Sequence, residues 1–433
     1  MPRRILRLTD REFRRTVRDS FIGSDTGKAA GLAGASLANN AIQLVFTVVI
    51  TRMLGADGYG ALAALVSTFL LLQVSGQSVQ AAAARETALA RLGDFSTLRR
   101  TVVGWERTLL LAALAVTCIG ALLHTPLASI TGTPEHAWAA AAVPLTGVMW
   151  LLLSLQRGVL QGLQAFKPVG ISIVFEALTR LVFGIGLGAA VGVTGAFLAT
   201  SLSFAVVSAG LALELRKRLG RPEHGPPART LRGLVSEGWI AIGGLILLAV
   251  LQNVDVIVAR HRLGHDRAGS YAVAAVAAKT VVWVAIGVGL QLLPQATARA
   301  AQGLDPRPIL WRALGVLTAV ALPALLIFAA VPKLLLRVGF GADTQDAAPS
   351  LIVLGLAMTL LAVAFLSVQF MIALGEVRFL GPLGAIAAVE IALLVTGSRS
   401  ITGFADLVAG TQLVVAVTML VLVRRAWPRP GSV

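Results

Sequence analysis

Five charged residues stand inside long apolar stretches of this chain: Glu176, Arg180, Asp255, Lys279 and Glu390. A charge at the centre of a bilayer costs about 2.5–3.5 kcal/mol on insertion scales, so such residues face a bundle interior or a wet cavity. Glu176 and Arg180 are four positions apart, which puts them on one helical face. As an exposed pair they would contribute only about 0.2–0.5 kcal/mol. In a low-dielectric cavity they would hold each other charged. Two uses are open for them: an internal pair that steadies the helices, or a site for a charged ligand. Asp255 and Lys279 pose the same choice across successive helices, and Glu390 could sit nearer an interface.

Side-chain amides form a second pattern. Asn39 and Gln43 share one helical face with Asn40 beside them; Gln73, Gln77 and Gln80 share another; Gln252 and Asn253 adjoin Asp255. One reading is interhelical hydrogen bonding, worth about 0.6 kcal/mol per bond in a membrane. The other is a hydrophilic lining suited to a hydroxyl-rich cargo.

No catalytic constellation accompanies these residues. HExxH, GxSxG, GxGxxG and P-loop patterns are absent, and without a P-loop the chain is not the ATPase of a primary pump. Gly184-Ile-Gly-Leu-Gly188 lies within an apolar stretch, where small residues serve helix packing. The single Cys118 and five scattered His offer no metal-ligand spacing. The sequence therefore predicts no enzyme, no cofactor and no metal.

The elements that must carry these side chains are membrane spans. The 433 residues are 56% hydrophobic and 13% charged, against about 25% charged in a soluble domain. The apolar residues fall in blocks long enough to cross a hydrocarbon core of about 30 Å as helices. Twelve spans are predicted, at 29–51, 61–84, 107–124, 137–156, 170–191, 194–214, 238–259, 270–294, 310–331, 350–373, 380–397 and 403–423. The fold class is an all-α polytopic membrane protein. Pro144, Pro294 and Pro323 interrupt spans and are candidate kinks.

The net charge of +16 is explained by the excess of Lys and Arg in cytoplasmic loops and near anionic lipid, so no nucleic-acid partner is implied. With a cytoplasmic N-terminus, the inner segments hold 28 of the 37 Lys and Arg and the outer loops hold seven. This places both termini in the cytoplasm and the protein in the cytoplasmic membrane. Arg260, Arg262 and Arg267 run against the bias, because all three fall in one outer loop. The first 28 residues are polar and Arg-rich. They read as an interfacial helix or as a solvated basic tail, not as a cleaved signal peptide.

A short motif occurs twice. Leu54-Gly-Ala-Asp-Gly-Tyr-Gly60 and Leu263-Gly-His-Asp-Arg-Ala-Gly269 both fit LGxDxxG at an offset of 209. Leu153-Ser-Leu-Gln156 with Gly162 and Phe166 is echoed by Leu366-Ser-Val-Gln369 with Gly375 and Phe379 at an offset of 213. Two matches in the same order indicate a duplicated six-helix unit, inserted twice in the same orientation. The expected division is a basic N-terminal segment (1–28), a six-helix lobe (29–214), a cytoplasmic linker (215–237), a second lobe (238–423) and a tail (424–433). The motif itself is expected to be structural: Gly and Asp close a tight turn, and the last Gly lets the next helix start close to its neighbour.

Val48 to Leu62, VVITRMLGADGYGAL, resembles the first-hairpin signature of polysaccharide flippases, as does Gly158 to Phe166, GVLQGLQAF. These flippases belong to the multidrug/oligosaccharidyl-lipid/polysaccharide exporter superfamily. The resemblance implies two six-helix lobes around a central cavity that opens alternately to either side of the membrane. It implies a cargo of oligosaccharide on a polyprenyl (pyro)phosphate, with Arg180 and Lys279 as cavity cations for the phosphate. Asp255, Glu176 and Glu390 become candidates for coupling to a proton or sodium gradient. Asn39, Gln43, Gln73, Gln77, Gln252 and Asn253 become the polar lining. Implied partners are the lipid-linked glycan, membrane lipids, and glycosyltransferases or a polymerase of the same pathway. The multidrug branch carries an acidic residue in its first helix, where this chain has Asn39, Asn40 and Gln43. The peptidoglycan-precursor flippases carry an extra helix pair that is not found here. The alternatives are an ion-coupled exporter of drugs or metabolites on the same fold, and a non-transporting scaffold of a glycan-assembly complex.

Overall fold

The computed structural model describes residues 25–89, 91–92, 95–220, 228–236, 239–340 and 342–426. Most of the basic segment 1–28, the Pro-rich part of the linker and the end of the tail lie outside these residues. Ten long helices follow one another: α1 (Asp25–Ala88), α2 (Phe95–Leu122), α3 (Ala137–Gly162), α4 (Phe166–Leu219), α5 (Trp239–Arg262), α6 (His265–Ala301), α7 (Arg307–Ala330), α8 (Ala348–Ala373), α9 (Leu380–Thr396) and α10 (Ile401–Ala426). Among the described residues, eight helices are long and apolar enough to cross a membrane, and α9 is a shorter apolar helix.

α1 and α4 have 64 and 54 residues. At about 1.5 Å per residue each would be more than twice the thickness of a bilayer core. Both are broken near the middle. α1 breaks at Gly55 (φ 71°, ψ −179°) into halves 25–54 and 56–88. α4 breaks at Val191 and Gly192 (φ 61°, ψ −138°) into halves 166–190 and 193–219. An added Cβ at Gly55 would meet nothing within 4 Å. Its backbone angle, not crowding, is therefore what demands glycine.

The second motif repeats this geometry. Gly264, 209 positions after Gly55, has φ 77° and ψ 164° and sits directly before α6. The turn is tighter than the sequence suggests in both copies. The chain is helical from Ala56 and from His265, so Asp57 and Asp266 belong to the first helical turn rather than to a loop. Asp57 does not close the turn, because one residue with positive φ does so alone.

Two hydrophobic cores hold the helices. One gathers Phe46, Leu65, Phe69, Trp105, Leu153, Phe197 and Phe204 from α1 to α4. The other gathers Tyr271, Met358, Phe370, Phe379, Phe404 and Met419 from α6 to α10, and takes in Tyr59 and Ala63 of α1. α1 packs on α5 and α6. The helices nearly touch at Gly60 and Gly269: a Cβ on Gly60 would lie 2.9 Å from the Gly269 backbone, and one on Gly269 would lie closer still to the Ala56 carbonyl oxygen. Pro144 and Pro323 lie within α3 and α7, which run through them as helices. Pro294 falls within α6, and its side chain is outside the described set.

Candidate functional site

A cavity of about 440 Å³ lies between the two cores, walled by α1, α3, α4, α5 and α6. It runs from Thr47 and Tyr59, near the break in α1, toward Asn40 and Gln80, nearer the opposite ends of the two half-helices. Four charged residues line it: Arg157, Glu176, Arg180 and Lys279.

Of the two uses open for Glu176 and Arg180, the mutual ion pair is not formed. Glu176 instead accepts a hydrogen bond from Arg157 Nη2 at 2.8 Å, and Arg157 Nε donates to Ser172 Oγ at 2.9 Å. Arg157 and Glu176 are both buried. Arg157 falls just beyond the fourth predicted span, 137–156, in an inner loop. α3 in fact continues to Gly162, because Glu176 on the neighbouring α4 supplies the countercharge that a buried guanidinium requires. Apolar Val159 and Leu160, continuing the helix after Arg157, were the signal that could have shown this.

Arg180 turns the other way, toward α1. Its Nη1 donates to Gln43 Oε1 at 3.0 Å, and its guanidinium carbon lies 4.6 Å from the Phe46 ring centroid. It makes no ion pair among the described residues, and its Nε is buried without a partner. The cavity therefore holds one neutralised arginine and one whose hydrogen-bonding capacity is only part used.

Lys279 is buried on the facing wall. Its Nζ donates to Asn253 Oδ1 at 3.3 Å and lies 3.8 Å from Asp255 Oδ1. Asp255 is fully buried behind the wall, where its Oδ2 accepts from the Tyr271 hydroxyl at 2.8 Å. Glu390 is also fully buried and does not line the cavity. Its Oε2 accepts from Gln412 Nε2 at 3.0 Å, and the same amide donates to the Leu251 carbonyl, one turn before Asp255. Asp255 Oδ1, Glu390 Oε1 and Gln412 Oε1 are buried acceptors with no hydrogen bond.

The amides Asn39, Asn40, Gln43, Gln73, Gln77, Gln80, Gln252 and Asn253 all line the cavity. Gln80 is engaged by Gln161 and Asn253 by its own helix. Gln73, Gln77 and Gln252 have no side-chain hydrogen bond among the described residues. Two indoles join them: Trp150, whose Nε1 donates to the Gln73 carbonyl at 2.8 Å, and Trp283. In an apolar stretch of sequence, tryptophan is indistinguishable from a packing residue, so nothing in the sequence marks these two as lining. Among the described residues no group of three or more His, Cys, Asp or Glu could hold a metal ion.

These features define an all-helical membrane protein built around a polar, cation-bearing cavity between two packed halves. Its family is shown by sequence: a model described as "Polysaccharide biosynthesis protein" matches residues 28–289, and the chain belongs to that family. No curated protein sequence matches it. Its fold is that of MOP superfamily transporters. An inward-facing multidrug resistance MATE family transporter of that superfamily superposes with a TM-score of 0.71 at 14% identity, over 89% of this chain and 94% of the other. The lipid II flippase MurJ in an inward closed conformation gives 0.71 at 12% identity, over 91% and 87%. A MOP superfamily transporter from Pyrococcus furiosus, described as having a binding pocket of reverse polarity, gives 0.59 at 15% identity, over 94% and 96%.

Proposed function

We propose that the protein is a flippase that moves an oligosaccharide linked to a polyprenyl (pyro)phosphate across the cytoplasmic membrane by alternating access, for surface polysaccharide synthesis. The observation that carries this reading is the pairing, in one cavity, of an arginine with no ion pair among the described residues and amides with no side-chain hydrogen bond among them. A guanidinium makes strong, bidentate hydrogen bonds to phosphate. Arg180 is assigned this role, with Lys279 as a second cation on the facing wall. Gln73, Gln77 and Gln252 offer both donors and acceptors to sugar hydroxyls. Trp283, 39% exposed, offers an apolar face. The lipid tail would leave between the two halves.

Coupling to an ion gradient is assigned to Asp255 and Glu390. Their unbonded buried oxygens, with that of Gln412, can accept a proton or a monovalent cation, since buried acceptors without partners are rare in settled structures. Glu176 was a third candidate; its carboxylate is already committed to Arg157, and we assign it to holding that arginine. Both termini are placed in the cytoplasm, on the distribution of Lys and Arg. Glycosyltransferases or a polymerase of the same pathway are the expected protein partners.

The test is accumulation. Deletion of the gene should raise a polyprenyl-linked glycan, measured by mass spectrometry of extracted lipids, and lower the surface product. The Arg180→Ala variant, expressed at normal level, should fail to reverse both changes. Unchanged lipid-linked pools together with altered drug tolerance would favour an exporter of small molecules instead.

A further inference from the structure

Arg260, near the end of α5, has a side chain only 1% exposed, yet it is not part of the cavity wall. Its ion-pair partners lie on the other half of the molecule. Nη1 donates to the Asp57 carboxylate at the start of the second half of α1. Nη2 donates to Glu135 Oε1 at 2.6 Å, and Nε to the Gly132 carbonyl at 3.3 Å. The contacts around it also cross the seam. His261 Nε2 lies 2.8 Å from the Ser129 carbonyl oxygen, and His265 Nδ1 lies 3.4 Å from Asp57 Oδ1. Arg52 reaches in the opposite direction and donates to the Val338 carbonyl at 2.5 Å. Gly60 and Gly269 touch just beneath.

All of these contacts sit at the end of the molecule that carries the Gly55 and Gly264 turns. The cavity lies on the far side of them. A permanent seam between two halves would be better made of apolar side chains, because a buried ion pair costs desolvation that its attraction barely repays. An ion-paired seam has a different property. When the halves separate, the buried Arg260 guanidinium regains its hydration, which offsets part of the cost of exposing the apolar contact of Tyr59 and Ala63 beside it.

We infer that Arg260, gripped by Asp57 and Glu135, is a positioning latch that holds this end of the cavity closed, and that releasing it lets the cavity open there. The latch is written once, not twice. Asp266, the counterpart of Asp57 in the second motif, is exposed and makes no ion pair among the described residues. The position matching Arg260 at the offset of 209 is Thr51. The use of the latch in transport rests on the flippase reading; the closure itself does not depend on the cargo.

The test separates the two. In the full chain with Cys118→Ser, a reporter thiol is placed in the cavity wall as Ser67→Cys, and a membrane-impermeant maleimide is applied to right-side-out and to inverted membrane vesicles. With the latch intact, the thiol should label from one face only. Asp57→Asn together with Glu135→Gln should raise labelling from the Gly55 face at least tenfold and lower it from the opposite face. Rates unchanged from both faces would overturn the latch, whatever the cargo. Because an unpaired arginine could disturb folding, a second form replaces Glu135 and Arg260 with cysteine and joins them with a reducible bifunctional thiol reagent. Joined, the protein should stop reducing the lipid-linked glycan pool, and reduction of the link should restore it. Transport that ignores the link would also overturn the proposal.

Discussion

The two walls of the cavity treat their charges in opposite ways. On the α4 wall, Glu176 neutralises Arg157, and Arg180 faces the cavity with a neutral amide and an aromatic ring as its described partners. On the α5 and α6 wall, Lys279 stands close to Asp255, while Asp255 and Glu390 lie sealed behind it with unbonded oxygens. One wall presents surplus positive charge to a ligand; the other keeps surplus acceptors away from it. On the proposed reading, the phosphate site and the coupling site meet at one point, where Lys279 Nζ stands 3.8 Å from Asp255 Oδ1. The same residue types serve both walls, and what differs is whether a countercharge arrives from a neighbouring helix.

The comparison can be broken most severely at Glu176. Glu176→Gln leaves Arg157 buried with a weakened partner, and removing one member of a buried pair costs about 3–5 kcal/mol. The apparent melting temperature in detergent should fall sharply, and adding Arg157→Gln should recover part of the loss. Lys279→Ala should follow, with a loss of about 3 kcal/mol from an uncompensated Asp255. A lysine that served only the ligand would instead leave the melting temperature unmoved.

Arg180→Ala should show the opposite balance. Stability should change by less than about 1 kcal/mol, as for a side chain outside any buried pair, while clearance of the lipid-linked glycan falls at least tenfold. Glu390→Gln sharpens the other wall. Glutamine can still accept from Gln412, so the fold should hold. The dependence of transport on an imposed proton or sodium gradient should be lost, and a variant that still follows the gradient would remove Glu390 from the coupling site.

The smallest effect is expected outside both walls. Asp305, between α6 and α7, is held below the usual carboxylate range, chiefly by side-chain hydrogen bonds from Arg307. A depressed folded value means that its contribution is present at neutral pH and is lost as the pH falls toward that value. As an exposed pair it is worth less than about 1 kcal/mol. Asp305→Asn should therefore lower the melting temperature slightly at neutral pH and not at all in strong acid.

Much of this was legible in the sequence because the bilayer is a strict reader. An apolar block of the right length has few alternatives to a helix, and a charge or amide stripe within it must find a polar interior. The amides from Asn39 to Asn253 are marked on that ground as interhelical hydrogen-bonders or a lining, and in the structure they stand along the cavity. Arg157 is not marked, since a residue at the end of an apolar block looks like the start of a loop until its partner is known. Glu176 and Arg180 share a helical face, yet neighbouring helices offered each a better contact, and spacing along one helix is silent about neighbours. Arg260 is the clearest case. It looked like a violation of the charge bias in an outer loop, and its explanation is a carboxylate 203 residues away.

The most direct test of the central claim is flipping itself. The lipid-linked glycan that accumulates in the deletion strain is loaded into proteoliposomes with the purified protein, and its transfer between leaflets is followed with a glycan-directed enzyme that cannot cross the membrane. The native protein should speed transfer well above protein-free vesicles, and Arg180→Ala should remove most of that gain while remaining folded. Transfer no faster than in protein-free vesicles, or equal transfer by the native and Arg180→Ala proteins, would contradict a cavity that carries its cargo by the phosphate.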